Sequence, residues 1–187
     1  MMPTLAEANA ILTDGDLLFS ADEVAAATSR VATELNRDYH DKYPLILSVM
    51  GGAVVFTGHL LSQLDFPLDF DIVQASRYGN AKVGSELTWR VAPRDNIQGR
   101  HVIVLDDILD EGVTLAAIVD LVKKQGALSV ACAVFCVKDY GPEMNAKKPL
   151  VADYVGITVP NRFVFGYGMD VSGVWRNLPA IYAIKGK

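Results

Sequence analysis

The sequence predicts an α/β fold with a mostly parallel sheet of about five strands flanked by helices. Short apolar runs alternate along the chain with segments whose apolar residues recur at helical spacing, as is typical of parallel sheets. The chain has 187 residues, 51% hydrophobic and 21% charged, a globular composition with enough length for a substantial core. We therefore expect a single domain that spans residues 1–187.

The individual elements follow from this periodicity in chain order. Ser20 and Glu23 form a capping-box pattern at the start of a helix predicted at 21–39. The apolar run 45–49 suits a strand covered on both faces, and a helical pattern follows Gly51-Gly52. The remaining predicted elements are strands at 69–76, 101–105, 130–137 and 154–159, a helix around 115–122 that ends near Gly126, and an extension of the sheet at 163–166.

Neither a membrane span nor a disulfide is expected. The uncharged stretch 43–64 has the length of a span, but its polar residues and its glycine pair favour a strand, a turn and a helix. No Lys or Arg precedes Arg30, so no secretory signal is recognised and a cytoplasmic location is expected. Cys132 and Cys136 would lie about 13 Å apart on a strand, too far to bridge.

The segment 76–100 shows no helical pattern and only a weak alternation of apolar residues. Connections of this length inside a compact domain are usually functional or mobile. Basic residues outnumber acidic ones here although the whole chain carries a net charge of −5. The basic residues are Arg77, Lys82, Arg90, Arg94 and Arg100, and the acidic ones are Glu86 and Asp95. We expect a long mobile loop that closes over an anionic ligand.

The segment 102–115 carries the predicted chemistry. A hydrophobic strand ends in Asp106 and Asp107, and a turn with Asp110 and Gly112 leads into a helix. In open α/β sheets ligands bind beyond the carboxyl ends of strands, and the N–H groups at a helix N-terminus bind anions. Anion-binding amides beside carboxylates predict a sugar phosphate and Mg²⁺ as ligands.

The sequence lacks the motifs that would indicate other nucleotide-binding sites or a serine-hydrolase site. A strand that ends in two aspartates resembles a Walker B motif, but there is no G-x-x-x-x-G-K-[ST] segment. The sequence contains no G-x-G-x-x-G before a helix and no G-x-S-x-G. Its histidines, His40, His59 and His101, are scattered, which disfavours a histidine-based metal site.

The 102–115 segment resembles the 5-phosphoribosyl-1-pyrophosphate (PRPP) signature of type I phosphoribosyltransferases: a hydrophobic strand, two acids, two apolar residues, Asp, then x-Gly-x-Thr. Further segments resemble the hypoxanthine-guanine branch, and the resemblance covers most of the chain. Residues 49–52 resemble its first pyrophosphate loop and 77–79 the start of its mobile loop, while 137–138, 163–170 and 175–178 resemble its purine pocket and the residues after it. The resemblance implies a small hood beside the sheet.

The resemblance also implies a reaction and a role for each matched residue. The 5-phosphoribosyl group of PRPP would pass to hypoxanthine and/or guanine, giving IMP or GMP and pyrophosphate in purine salvage. PRPP would contact Met50, Gly51, Gly52, Arg77, Tyr78, Asp106, Asp107, Asp110, Glu111, Gly112, Val113, Thr114 and Arg176. The purine would contact Lys138, Phe163, Val164 and Asp170, and Mg²⁺ would bind Asp106, Asp107 and Asp170.

Within these sets, Asp110 is the implied general acid/base, Lys138 the donor to the 6-oxo group and Phe163 the stacking ring. The sequence departs from the branch at Met50, where many members have a basic residue, and at Arg77, where many have serine. By position, the non-proline cis peptide of the first loop is expected at Val49–Met50.

Two alternatives stay open. One is a phosphoribosyltransferase for another base, such as adenine, xanthine or a pyrimidine, although Lys138 and 163–170 favour 6-oxopurines. The other is a regulator that keeps the PRPP-binding fold and binds nucleic acid, which the net charge of −5 disfavours. We expect small-molecule substrates, no nucleic-acid or membrane partner, and a homodimer or homotetramer.

Overall fold

The computed structural model describes residues 2–77, 87–93 and 97–186. The elements are α1 (Leu5–Asp14), β1 (Asp16–Phe19), α2 (Ala21–Tyr39), β2 (Leu45–Val49), α3 (Val54–Leu61), β3 (Asp69–Arg77), β4 (Leu87–Val91), β5 (His101–Leu109), α4 (Val113–Lys124), β6 (Ser129–Asp139), α5 (Pro142–Asn145), β7 (Tyr154–Pro160), β8 (Val164–Phe165) and β9 (Ile181–Ala183). Helix α2 has the predicted bounds, and Ser20 and Glu23 form the predicted capping box. Helix α1 was not predicted, although Thr4 and Glu7 cap it in the same way.

Within the described ranges, the main sheet has six strands in the order β4-β3-β2-β5-β6-β7. Neighbouring strands run parallel except β3 and β4, which are antiparallel. The predicted α/β fold with a mostly parallel sheet is therefore confirmed. The additional strand is β4, which lies inside the segment expected to be a loop. Its weak alternation becomes a strand because it pairs with the edge of β3.

A second, smaller sheet is antiparallel and has the order β1-β9-β8. The prediction that residues 163–166 extend the main sheet is wrong, because Val164 and Phe165 instead pair with Ala183 and Tyr182 of β9. Val164 and Ala183 belong to the same buried cluster as Phe135 of β6. The small sheet therefore packs on the core of the main sheet and corresponds to the predicted hood.

The core lies on both faces of the main sheet, which explains why all five residues of β2 are buried and all but Ser48 are apolar. Ile46 packs in the cluster that contains Leu35 of α2 and Leu60 of α3. Leu47 packs on the opposite face, in the cluster with Ile118 of α4. Full burial of each such side chain contributes roughly 1.5–3 kcal/mol. The stretch 43–64 thus forms a strand, a turn and a helix, and no helix in the described residues could cross a membrane.

Strands β2 and β5 mark the point where the chain changes direction across the sheet. From β2 the chain continues through α3 to β3, whereas from β5 it continues through α4 to β6 on the other side. The last pair between β2 and β5 joins Ser48 and Leu105, and β5 then continues beside β6 as far as Leu109. The prediction that this strand ends at Leu105 is wrong, because β6 continues to pair with it. Loops that diverge at such a point leave a crevice in which ligands bind.

The predicted basic flap is only partly described. Arg100 Nη1 lies 2.8 Å from Oδ2 of Asp69, at the amino end of β3 and thus away from the carboxyl ends of the parallel strands. Its charge therefore does not belong to a flap over that edge. The predicted residues Tyr78, Lys82, Glu86, Arg94 and Asp95 lie outside the described part of the chain, as does the side chain of Arg77.

Candidate active site

A cleft of about 240 Å³ opens where β5 leads into α4. Its lining residues are Asp106, Ile108, Asp110, Glu111, Gly112, Val113, Thr114 and Leu115. Gly112 adopts a left-handed φ of 80°, and a Cβ atom there would lie 2.9 Å from Cδ1 of Leu109, so glycine is required. As the N-cap it has no side chain to cover the first N–H groups of α4, which remain available to an anion. The predicted phosphate turn thus forms one continuous surface.

Asp106 and Asp107 extend β5 into the crevice. Asp106 lines the cleft, whereas Asp107 lies against the loop after β2. Burial, followed by the negative charge of Asp107, raises the pKa of Asp106 well above its ordinary range. Burial also raises the pKa of Asp107. Because ionisation of both carboxyl groups is unfavourable without a counter-charge, a bound cation would stabilise the ionised pair.

The loop after β2 packs its backbone directly on Asp107. A Cβ atom at Gly52 would lie 1.7 Å from Oδ2 of Asp107, so no larger residue fits in this arrangement. The cis peptide is Met50–Gly51, and the predicted position at Val49–Met50 is wrong by one residue. The reason is that β2 keeps its ladder geometry past Val49, since Met50 N donates to the carbonyl of Val73 at 2.7 Å.

A third segment, 166–176, closes this side of the crevice. A Cβ atom at Gly168 would lie 2.0 Å from the carbonyl oxygen of Gly52, so the two backbones are in contact. Arg176 Nη1 donates to the carbonyl of Gly168 at 2.6 Å, and its Nη2 forms an ion pair with Asp170. The positive charge of Arg176 partly offsets the effect of burial on the pKa of Asp107. The structure therefore brings together Gly52, Asp107, Asp170 and Arg176.

On the other side of the cleft, Lys138 and Asp110 form an ion pair. Nζ of Lys138 lies 2.9 Å from Oδ2 of Asp110, and the hydroxyl of Tyr140 donates to Oδ1 of the same carboxylate. Lys148 Nζ donates to the carbonyl of Lys138 at 2.5 Å. Tyr140 and Lys148 were not among the predicted site residues. Tyr140 lies one residue beyond the end of β6 at Asp139, so strand alternation gave no signal that it would meet Asp110.

Phe163 and Val164 follow β7 at the same edge of the sheet. Lys138 and Asp139 pair with Val159 and Pro160, the last residues of β7, and Phe163 comes three residues later. Phe163 is 47% exposed, whereas Val164 is buried in the hood. An exposed aromatic ring next to the end of β6 is available for stacking on a planar ligand.

The carboxylates of Asp106 and Asp107 are suited to bind Mg²⁺ together with the phosphate oxygens of a substrate. No group of three or more His, Cys, Asp or Glu residues in the described ranges could by itself hold a metal ion. Mg²⁺ usually binds through one or two carboxylates plus substrate phosphates, and Asp106 and Asp107 can supply the protein's part. Asp170 is less available, because Arg176 and the N–H of Gly173 (2.7 Å) occupy its oxygens.

Comparisons with known proteins identify the family of the chain and match its overall fold. The Phosphoribosyl transferase domain matches residues 16–172. The hypoxanthine-guanine-xanthine phosphoribosyltransferase of Tritrichomonas foetus is 35% identical over 90% of this chain and 91% of its own length. The hypoxanthine-guanine phosphoribosyltransferase of Bacillus subtilis is 34% identical over 90% of this chain and 92% of its own length. A hypoxanthine phosphoribosyltransferase structure from Staphylococcus aureus superposes with a TM-score of 0.85 at 26% identity, covering 94% of this chain and 95% of that one. The chain therefore belongs to the phosphoribosyltransferase family.

Proposed function

We propose that this protein transfers the 5-phosphoribosyl group of PRPP to a 6-oxopurine, hypoxanthine and/or guanine, and releases pyrophosphate, as a purine-salvage enzyme. The observation that carries the proposal is the common position of three features at the carboxyl edge of the sheet. They are the anion-binding turn at 110–114, the Asp106–Asp107 pair and the Lys138–Asp110 pair. The names of the Tritrichomonas and Bacillus relatives support the same activity.

We propose that PRPP lies along the crevice between the turn at 110–114 and the loop after β2. The 5-phosphate would bind the N–H groups of the turn at 110–114 with the hydroxyl of Thr114, and the ribose hydroxyls would meet Asp106 and Asp107. Pyrophosphate would contact the backbone of Gly51 and Gly52, with Met50 beside them. The guanidinium of Arg176 would provide positive charge at the same end. Arg77, the last residue of β3, and Tyr78 after it are proposed to complete this contact.

Mg²⁺, when bound by Asp106 and Asp107 with Asp170 as a further proposed ligand, would neutralise the charge that develops on the departing pyrophosphate. The protein's own residues act on the purine. Lys138 donates to the 6-oxo oxygen, Phe163 stacks on the ring, and the backbone of Val164 meets the base edge. As the C1–O bond to pyrophosphate breaks and the C1–N bond forms, the purine nitrogen loses a proton to the carboxylate of Asp110.

Xanthine is the second base to test, because the Tritrichomonas relative includes it in its name. The proposal also covers the assembly of the chain. A study of Trypanosoma cruzi hypoxanthine phosphoribosyltransferase concerns the role of its C-terminal region in oligomeric state and activity. We propose that this protein is a cytoplasmic homodimer or homotetramer. Light scattering on the purified protein measures its mass in solution, and a monomer at micromolar concentration would contradict that assignment.

The decisive experiment is turnover with Mg²⁺, PRPP and each of five bases: hypoxanthine, guanine, xanthine, adenine and uracil. We expect IMP or GMP to form at least 100-fold faster than AMP, since a site that pairs a polar group rejects a mismatched analogue by roughly 10⁴-fold. If neither hypoxanthine nor guanine yields nucleotide, the proposal is wrong. A salt-dependence series with duplex DNA and RNA then tests the nucleic-acid alternative.

A further inference from the structure

The carboxylate of Asp110 is held on both of its oxygens. Lys138 Nζ donates to Oδ2 at 2.9 Å, and the phenol of Tyr140 donates to Oδ1. A carboxylate with a donor on each oxygen cannot rotate about its terminal bond without breaking one of them. Lys138 is proposed to bind the purine as well, so its contact with Asp110 changes when the base arrives. Tyr140 is not among the residues proposed to bind the purine or PRPP.

Tyr140 is itself fixed by the turn that follows β6. Oδ1 of Asp139 accepts hydrogen bonds from the N–H of Gly141 at 2.8 Å and from the side-chain amide of Asn145 at 2.6 Å. The N–H of Tyr140 donates to the side-chain oxygen of Asn145 at 3.1 Å. The ammonium of Lys148 lies 5.2 Å from the centre of the Tyr140 ring, within cation–π range. The phenol is thus presented to Asp110 by a braced loop.

We propose that Tyr140 is a positioning residue for Asp110 in the phosphoribosyl transfer. It holds Oδ1, so that Oδ2 stays directed at the place shared by the Lys138 ammonium and the purine nitrogen. The inference rests on the proposed function, because it assigns a reason for the fixed direction of the carboxylate. It adds to the reaction a residue that contacts neither PRPP nor base.

The phenol suits this task because it remains a donor throughout. Burial and the hydrogen bond to Asp110 raise the pKa of Tyr140 to about 12, so the hydroxyl stays protonated at neutral pH. It can therefore hold the carboxylate before the purine proton is transferred, and it does not compete with Asp110 for that proton. If the hydroxyl only filled space, its removal would change the stability of the protein but not the rate of the reaction.

Tyr140→Phe tests the proposal, and Tyr154→Phe is its matched control. The hydroxyl of Tyr154 also donates to an aspartate, Oδ2 of Asp38 at 2.8 Å, but at the amino end of β7, away from the cleft. We expect Tyr140→Phe to lower kcat with hypoxanthine by roughly tenfold and to change KM for PRPP less than twofold. Tyr154→Phe should keep the wild-type kcat.

A double variant shows whether Tyr140 acts through Asp110. When Asp110 is already Asn, adding Tyr140→Phe should lower kcat by less than twofold, because the group that it positions is gone. Urea unfolding of the single and double variants measures the same coupling without turnover, and we expect the midpoint shifts to be non-additive. Fully additive losses in both measurements would overturn the proposal.

The outcomes separate this inference from the proposed function. A wild-type protein that makes no nucleotide from any 6-oxopurine overturns both. An active wild type with a Tyr140→Phe variant that retains its kcat overturns only the role of Tyr140. A loss of kcat in Tyr154→Phe equal to that in Tyr140→Phe would likewise assign the effect to general destabilisation and overturn the positioning role.

Discussion

Nζ of Lys138 lies 2.9 Å from Oδ2 of Asp110, so the residue proposed to bind the purine's oxygen and the residue proposed to take its proton form one ion pair. The side chain of Lys138 is 12% exposed and that of Asp110 45% exposed. Because the ammonium is nearly buried, it needs a partner at all times. The carboxylate, the purine oxygen or both can provide one, which links base binding to the direction of Asp110.

Asp110→Asn is expected to lower kcat by about 10²–10⁴-fold, because an amide cannot accept the purine proton. The affinity for PRPP should change little, since the phosphate turn is built mainly from backbone N–H groups. Single-turnover kinetics with hypoxanthine and equilibrium titration with PRPP measure the two effects. Glu143→Gln, on the exposed surface of α5, removes a carboxylate that does not line the cleft and serves as a control. An unchanged rate of the chemical step would assign Asp110 to a purely structural role.

Lys138→Ala should reduce the preference for 6-oxopurines over adenine. An ammonium has three donors and no acceptor, so it pairs with a 6-oxo oxygen but not with the 6-amino group of adenine. With adenine the ammonium would keep Asp110 as its partner but would face a second donor instead of an acceptor, a mismatch that costs about 1–3 kcal/mol and penalises adenine in the wild type. The ratio of kcat/KM for hypoxanthine to that for adenine measures the effect. Lys124→Ala, which removes an exposed lysine at the end of α4, is the control. Retention of the full ratio would place the 6-oxo contact elsewhere, with the backbone near Val164 as the next candidate.

The parts of the fold that were predicted correctly are those with strong local signals. Helix α2 has a capping box and a long amphipathic repeat, and β2 is a fully buried strand that is apolar except for Ser48. The strands of the hood are two to four residues long and pair across the whole chain, as Asp16 does with Ala183, so no local pattern marks them.

The predicted phosphate turn at 110–114 forms a single cleft because its residues are consecutive and begin a helix. Tyr140 could not be predicted in the same way. Its contact with Asp110 depends on the register of β5 and β6, in which Leu109 pairs with Val137, and on the turn after β6. The position of the cis peptide likewise depends on a hydrogen bond between Met50 and Val73, which are distant in sequence.

Gly52→Ala is expected to impair catalysis more than stability. The added Cβ would lie 1.7 Å from Oδ2 of Asp107, and the carboxylate can move away more readily than the backbone. A displacement of about 1 Å at a reacting centre reduces kcat/KM by roughly 10- to 100-fold. Steady-state kinetics with varied PRPP at saturating Mg²⁺ test this expectation.

Gly58→Ala is the matched control for that variant. Gly58 lies exposed on α3, and a Cβ atom there would meet nothing within 4 Å. Alanine should stabilise the helix by up to about 1 kcal/mol and leave kcat/KM unchanged. Equal kinetics for Gly52→Ala and Gly58→Ala would show that the contact between Gly52 and Asp107 does not matter for catalysis.

Asp106→Asn should stabilise the protein in the absence of Mg²⁺ while weakening its binding of Mg²⁺ and PRPP. The pKa of Asp106 is raised in the folded protein, first by burial and then by the charge of Asp107. Ionisation of this carboxyl group therefore costs more in the folded than in the unfolded state. The contribution of the Asp106 carboxyl group to the free energy of unfolding therefore falls as the pH rises from about 4, its pKa in the unfolded state, toward its raised pKa in the folded state.

Asparagine removes this unfavourable charge, so the free energy of unfolding at pH 7 without metal should rise by roughly 0.5–2 kcal/mol. The gain should shrink at pH 4.5, where less of the wild-type carboxyl would ionise on unfolding. Urea unfolding at both pH values measures the difference, and Asp120→Asn on the exposed surface of α4 serves as control. Mg²⁺ should stabilise the wild type more than Asp106→Asn, because the variant lacks a carboxylate at the proposed metal site. A variant less stable than the wild type at pH 7 would show that Asp106 contributes to folding through contacts that outweigh its buried charge.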